Sequence, residues 1–149
     1  MKKVRLIKKP KKIKKKTRWK LVKELDAIYS LYIRLRDCMK WWRTFCPLCN
    51  WYGTYKDAQN MHFITRGCYA LRWYDKNCHS GCVRCNVFLN GNYIEYTRWM
   101  IERYGLEFVD ELRSLRNEVY IIKNPEIEEK IDFYKKTVKA LKLNKAIID

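Results

Sequence analysis

Two cysteine pairs, Cys46 and Cys49 in "CPLC" and Cys82 and Cys85 in "CVRC", carry the most specific chemistry in this sequence. Two residues between thiolates let one tight turn aim both sulfurs at a single ion. Two such pairs complete the tetrahedral shell that zinc prefers, with no position left open. Cys46, Cys49, Cys82 and Cys85 therefore predict a structural zinc site. Its binding energy is folding energy, and it would staple the two ends of an otherwise irregular middle region. Four thiolates also suit an iron–sulfur cluster, although nothing else in the chain points to electron transfer. Zinc does not account for the polar residues among and after the pairs. His62 falls in "MHF", Asn77 and His79 in "DKNCH", and Asn86 directly after Cys85. A ribbon that only folded and bound would have no use for His, Asn and Asn in that order.

These residues need elements to hold them. Upstream, Leu21, Leu25, Ile28, Tyr32, Leu35, Met39 and Trp42 recur at helical spacing, marking one face of a helix of about six turns. Lys23, Glu24, Asp26, Arg34 and Asp37 occupy its other face. From Phe45 to about Asn92 the helical period gives way to short segments rich in cysteine, aromatic and turn residues. There "NMHFITRG" and "ALRWYD" predict the strands of a small hairpin, with His62 on the first. "NYIEYTRWMIERYG" predicts a helix stopped by Gly105, and "LEFVDELRSLRNEV" predicts another. Asn124 and Pro125 offer an N-cap and an N1 proline to a last helix, whose buried side would be Ile127, Ile131, Tyr134, Val138 and Leu141. The expected fold class is α+β, a small zinc-stapled centre clasped by helices. The expected boundaries are a basic disordered tail at 1–18, an N-terminal helix at 19–44, the zinc-bound core with its following helix at 45–105, and C-terminal helices at 106–149.

The formal charge of +17 calls for an anionic partner, and 12 of the 33 Lys and Arg fall in the first 20 residues with no acid among them. A block this basic repels itself and stays unfolded until phosphates neutralise it. Lys11, Lys12, Lys14, Lys15 and Lys16 are the expected phosphate contacts, binding nucleic acid without regard to sequence and with a steep salt dependence. A solvated tail that aids solubility, or a patch for a membrane surface, are the alternatives; no lipidation motif or apolar face accompanies the second. No apolar run reaches the ~20 residues that span a bilayer, and no signal pattern opens the chain. The expectation is a soluble, unsecreted, cytoplasmic protein. Seven cysteines, an odd number, argue against a disulfide framework, leaving Cys38, Cys68 and Cys78 as ordinary buried thiols.

Five segments in order resemble one family. "YIRLRD" (Tyr32–Asp37), "HFITRG" (His62–Gly67), "LRWYDKNCH" (Leu71–His79), "CVRCN" (Cys82–Asn86) and "GNYIEYTRWMIERYG" (Gly91–Gly105) are similar to the phage NinG/Rap recombination proteins. The order of His62, Asn77 and Asn86 around the second pair also resembles HNH nucleases of the ββα-metal class, treble-clef-like in fold and including endonuclease VII. The resemblance covers roughly residues 20 to 120. It implies a metal-dependent endonuclease for branched DNA such as Holliday junctions and D-loops. In that reading His62 is the general base, a role suited to an imidazole. Asn77 orients it, and Asn86, in the first turn of a helix beginning at the second cysteine pair, offers its amide oxygen to a catalytic Mg²⁺ or Mn²⁺.

One departure matters. Endonuclease VII-like members place an aspartate before the histidine as a metal ligand, and here that residue is Met61. His79 is the first candidate for the missing ligand, with Asp57 and Asp75 in reserve; His79 could equally be a phosphate contact or a core residue. Arg66, Arg72 and Arg84 are candidate phosphate contacts, although exposed arginines need no function. Trp41, Trp42, Trp51 and Trp73 read as core rather than as platforms for stacked bases. Two rivals share these residues: a zinc module that binds DNA or RNA without cutting it, and a sequence-specific nuclease of homing or restriction type. A zinc adaptor between proteins leaves the lysines unexplained. Symmetric cutting of a junction would favour a homodimer.

Overall fold

The computed structural model describes residues 16–148, so the expected disorder of the tail, and Lys11, Lys12, Lys14 and Lys15, lie outside the described residues. Helix α1 runs over Arg18–Arg36, shorter than the apolar spacing predicts. Its buried stripe is Leu21, Leu25, Tyr29, Ile33 and Leu35, whereas Ile28 and Tyr32 are only half-buried. The helix stops because its last residues are committed elsewhere. Arg36 donates to the carbonyls of Asp75 and Cys78 at 2.8 Å each, and Asp37 accepts the Ser80 N–H at 2.7 Å. The chain then turns through Lys40–Trp42, where Trp41 and Trp42 both take positive φ. Trp41 is 69% exposed, which corrects its assignment to the core; Trp42 is half-buried against Tyr55, and Trp73 is buried.

Two antiparallel hairpins follow. Strands β1 (Arg43–Phe45) and β2 (Tyr52–Thr54) pair and frame the first cysteine pair. Strands β3 (Gln59–His62) and β4 (Cys78–Gly81) form the second hairpin, with Met61 opposite His79 and His62 opposite Cys78. The partner of the histidine strand is thus "CHSG", not the predicted "ALRWYD". Leu71 and Trp73 are both buried, which gives that segment a strand's alternation. They sit instead on successive tight turns closed by Cys68 N–H to Thr65, Leu71 N–H to Cys68 and Tyr74 N–H to Leu71. Gly81 ends β4 where a Cβ would lie 2.2 Å from the Met61 side chain.

After a single π-turn over Arg84–Phe88, Asn90, Gly91 and Asn92 take three consecutive positive φ values and reverse the chain into α2 (Tyr93–Tyr104). Gly105, at φ +89°, separates α2 from α3 (Leu106–Ser114). The last helix, α4, spans Asn124–Ile148. Its start lies one residue before the predicted cap: the Lys123 carbonyl accepts the Ile127 N–H, while the Glu126 carboxylate turns back to accept the Lys123 N–H at 2.7 Å. Ile127, Ile131, Tyr134 and Val138 are buried as the spacing predicts. Among the described residues, no helix is long and apolar enough to cross a membrane.

Two apolar cores flank the second hairpin. One gathers Met61, Phe63, Ile64, Leu71, Tyr96, Met100, Val109 and Leu112 with the paired cysteines. The other packs α1 on α4 through Leu21, Leu25, Tyr29, Ile33, Ile127, Ile131 and Tyr134, with Trp73 and Cys78 beneath. Alternation along β3 sends Met61 into the first core and His62 to the opposite face. Asp37 ties α1 to the edge of β4, so Asp37→Ala strands the Ser80 N–H and takes away the carboxylate that pairs with Arg36 at 2.7 Å. Urea denaturation should show a loss of about 1–3 kcal/mol, larger than for exposed Asp110→Ala.

Candidate functional site

The hairpins bring the four paired cysteines together. Their sulfurs all lie within 4.8 Å of one another, Cys49 to Cys82 at 3.5 Å, close enough to share one ion at metal–sulfur bonds of about 2.3 Å after a small inward shift. Backbone and side chains support the cluster. The Cys46 N–H donates to the Trp51 carbonyl at 2.7 Å, closing the first turn with Asn50 in the left-handed region. The Asn92 amide donates to the Cys85 sulfur at 3.5 Å. The residues present fit a structural metal such as zinc. Cys38, Cys68 and Cys78 are buried outside this cluster.

Beside the cluster, a cleft of about 600 Å³ is lined by Asp26, Tyr29, Ser30, Gln59, Asn60, His62, Thr65, Arg66, Asn86, Val87, Asn90 and Gly91. His62 reaches it from the end of β3 and Asn86 from the π-turn. His62 Nε2 lies 3.0 Å from the Arg72 carbonyl oxygen. A carbonyl only accepts, so Nε2 carries the proton and Nδ1 keeps its lone pair. Burial holds the His62 pKa below the ordinary imidazole value, helped by the Arg66 and Arg72 charges and opposed by the hydrogen bond and by Asp26. The ring is thus neutral at neutral pH. Asn86 donates from its amide nitrogen to Gln59 Oε1 at 2.7 Å, which leaves its carbonyl oxygen as the group for other partners.

Asn77 acts one step further back than expected. It is fully buried and makes no bond to the imidazole. Its Oδ1 accepts the Ile64 N–H at 2.7 Å, and its Nδ2 donates to the carbonyls of Ile64 at 2.9 Å and Leu71 at 3.0 Å. The amide therefore cross-links both arms of the loop that presents the Arg72 carbonyl to His62.

His79 is not in the cleft. It is 4% exposed, with Nδ1 2.7 Å from the Tyr96 hydroxyl and Nε2 2.9 Å from that of Tyr104. The Tyr96 hydroxyl also lies 3.4 Å from the Met61 carbonyl oxygen, so the imidazole and both hydroxyls form one buried polar chain. Burial, with the Arg36 and Arg103 charges, pushes its pKa down to about 3. With both nitrogens engaged, it is a core residue and not the missing ligand. The reserves fail likewise. Asp57 caps Thr54 on the surface, Asp75 accepts from Tyr32 at 2.7 Å and Tyr29 at 3.3 Å, and neither lines the cleft.

Arg72 is no free phosphate contact. Its guanidinium is held by Asp26 at 2.9 and 2.5 Å and donates to the Arg66 carbonyl at 2.8 Å. Arg66 stands exposed on the rim of the cleft, Arg84 is exposed outside its lining, and Lys16 is exposed and paired with Glu24 at 2.5 Å. The spacing missed Asp26, Gln59, Asn60 and Asn90. Asn60 had a signal, since two residues before His62 on one strand is the same face. Asp26 had none, because only the docking of α1 brings it there.

Fold and cluster define the class: a small protein of mixed helix and short antiparallel sheets, with a four-cysteine cluster able to hold a metal. The family model described as "Bacteriophage Lambda NinG protein" matches residues 1–144, so the chain belongs to the NinG family. Protein ninG of Salmonella phage P22 is 33% identical over 106 residues, 68% of this chain and 47% of that protein. Protein ninG of Escherichia phage lambda is 33% identical over 109 residues, 70% and 48% of the two chains; that of Escherichia phage 933W is 33% identical over 109 residues, 70% and 49%. The chain thus spans about half the length of these curated relatives. No solved structure matches it.

Elemental analysis of the purified protein should find one zinc per chain, lost in Cys82→Ser. Stripping it with a strong chelator should cost at least about 5 kcal/mol of stability, a part of the ~10–16 kcal/mol with which structural zinc binds.

Proposed function

We infer that this chain is a metal-dependent DNA endonuclease with a ββα-metal (HNH-like) site, hydrolysing phosphodiester bonds in branched recombination intermediates. The observation that carries the reading is the convergence of His62 and Asn86 on one cleft, with the imidazole tautomer set for proton abstraction. Hairpin, then helical turn, with histidine on the strand and asparagine on the turn, is the order such a site needs. The helical piece here is a single turn, shorter than the helix expected.

His62 Nδ1 accepts a proton from water as its oxygen attacks phosphorus, and the bond to the leaving oxygen breaks as that oxygen gains a proton from solvent. Asn77 and Arg72 keep the ring's other edge fixed, so Nδ1 needs no reorientation. Arg66, on the rim, suits a non-bridging phosphate oxygen. The donor set admits a divalent cation without gripping it. Asn86 offers a carbonyl oxygen, and Asn60, also in the lining, has a buried Oδ1 with no donor among the described residues. Both oxygens of Asp26, the acid in the lining, are already spent. A Mg²⁺ or Mn²⁺ ion held by Asn86 and by the DNA phosphate would polarise the phosphorus and offset charge on the leaving oxygen. Branched substrates come from the family resemblance, and a two-fold pair of chains would present two such clefts to a junction.

One observation favours a second reading, a zinc-dependent DNA-binding protein that does not cut: the cleft holds no uncommitted carboxylate. Incubation of junction and matched linear duplex with Mg²⁺ decides between them. The expected result is nicking of the junction in preference to the duplex, reduced on the order of 10²–10⁴-fold in His62→Ala. Binding by wild type with no nicking under any divalent ion would leave the second reading. Duplex cleavage at one sequence in preference to junctions would point to a homing-type nuclease. A base whose folded pKa is depressed keeps its free lone pair to a lower pH than an ordinary imidazole does. The acid limb of the cleavage profile should therefore have its midpoint below pH 6.5. Calorimetry of Mg²⁺ on DNA-free protein should show binding far weaker than in the presence of DNA.

A further inference from the structure

The α1 helix reaches the cleft through a relay that has no place in a simple hairpin-and-turn site. Asp26, on α1, holds the Arg72 guanidinium at two points, Oδ1 to Nε at 2.9 Å and Oδ2 to Nη2 at 2.5 Å. The same Oδ1 accepts the Trp73 indole N–H at 3.0 Å. Arg72 Nη1 ties back to the Arg66 carbonyl at 2.8 Å, and the guanidinium lies over the rings of Tyr69 at 5.1 Å and Trp73 at 5.4 Å. All three guanidinium nitrogens are engaged, and the arginine side chain is 14% exposed. The main chain of this residue supplies the carbonyl that His62 Nε2 meets at 3.0 Å.

A two-point arginine–carboxylate pair is geometrically stiff, and one carboxylate here clamps two successive side chains, Arg72 and Trp73. With both held, the peptide between them has little freedom to turn its carbonyl. Loss of that acceptor would let the imidazole take either tautomer or rotate. We propose that Asp26 is a positioning residue for His62, acting through Arg72, so that docking of the N-terminal helix sets the tautomer of the imidazole in the cleft. The proposal deepens the nuclease reading and rests on it for its consequence in catalysis. The positioning itself is a property of the protein without DNA.

The chain holds two histidines; only His62 lines the cleft, so the buried His79 serves as an internal reference for the fold. Two-bond ¹H–¹⁵N correlation spectra of the wild-type chain should show His62 protonated at Nε2. Asp26→Asn keeps the size of the side chain and removes its charge; Arg72→Ala keeps the carbonyl and removes the clamp from the other end. Mixed tautomers at His62 in these variants, with the His79 signals unmoved, support the proposal. A His62 that remains wholly Nε2-protonated in both overturns it. Should one variant disturb His79 as well, its fold has changed, and the His62 signals of the other variant then support or overturn the proposal. Cleavage is a separate readout. Asp26→Asn should lower kcat on the order of 10- to 100-fold with KM little changed. If wild type cuts nothing, the nuclease reading falls, and the spectra still decide whether Asp26 positions His62.

Discussion

Four sulfurs meeting within one small sphere are the constraint on which the rest of the centre depends. The first pair sits on the turn between β1 and β2, and the second follows β4 and opens the π-turn. Each hairpin has strands of only three or four residues, far too little for independent stability in water. A metal ion shared by the four sulfurs would convert two marginal hairpins into one body. It would also fix where Asn86 stands, because that residue directly follows the last cysteine of the cluster.

The histidine is placed by a different device, a polar one. Between β3 and β4 the chain makes a loop of tight turns, each closed by its own backbone hydrogen bond. Asn77 spends both ends of its amide on that loop's backbone, and the Asp26–Arg72 pair anchors it from outside. A buried amide with every bond made is rigid, whereas one with a partner missing would be costly. The cysteine cluster and the polar loop thus hold Asn86 and His62 by independent means. The cleft is where the two devices face each other across β3.

The helices complete the arrangement rather than merely covering it. The first core, under α2 and α3, takes in Met61 and surrounds His79 with Tyr96 and Tyr104. The second core, under α1 and α4, takes in Trp73 and Cys78. Each helical layer therefore grips the same hairpin from one side. Arg36 and Asp37, at the end of α1, do for the edge of β4 what Asp26 does for the loop, which gives the segment "YIRLRD" a structural role at both strand and helix.

The four-cysteine cluster and the last three helices were legible in the residues, because their signals are local. Cysteine spacing, apolar periodicity and an N-terminal capping pattern each act within a few positions of the chain. What the sequence did not reveal depends on partners far apart in it. The strand that pairs with His62 is "CHSG" because backbone pairing, unlike side-chain pattern, is settled by which segments meet. His79 and Asp26 exchange the parts that spacing suggested for them. The imidazole beside the cysteines is buried between two tyrosines, while a carboxylate from a helix 46 residues upstream reaches Arg72 beside the other imidazole. Residue types determined what chemistry the chain could hold, and packing decided which atoms were left exposed to perform it.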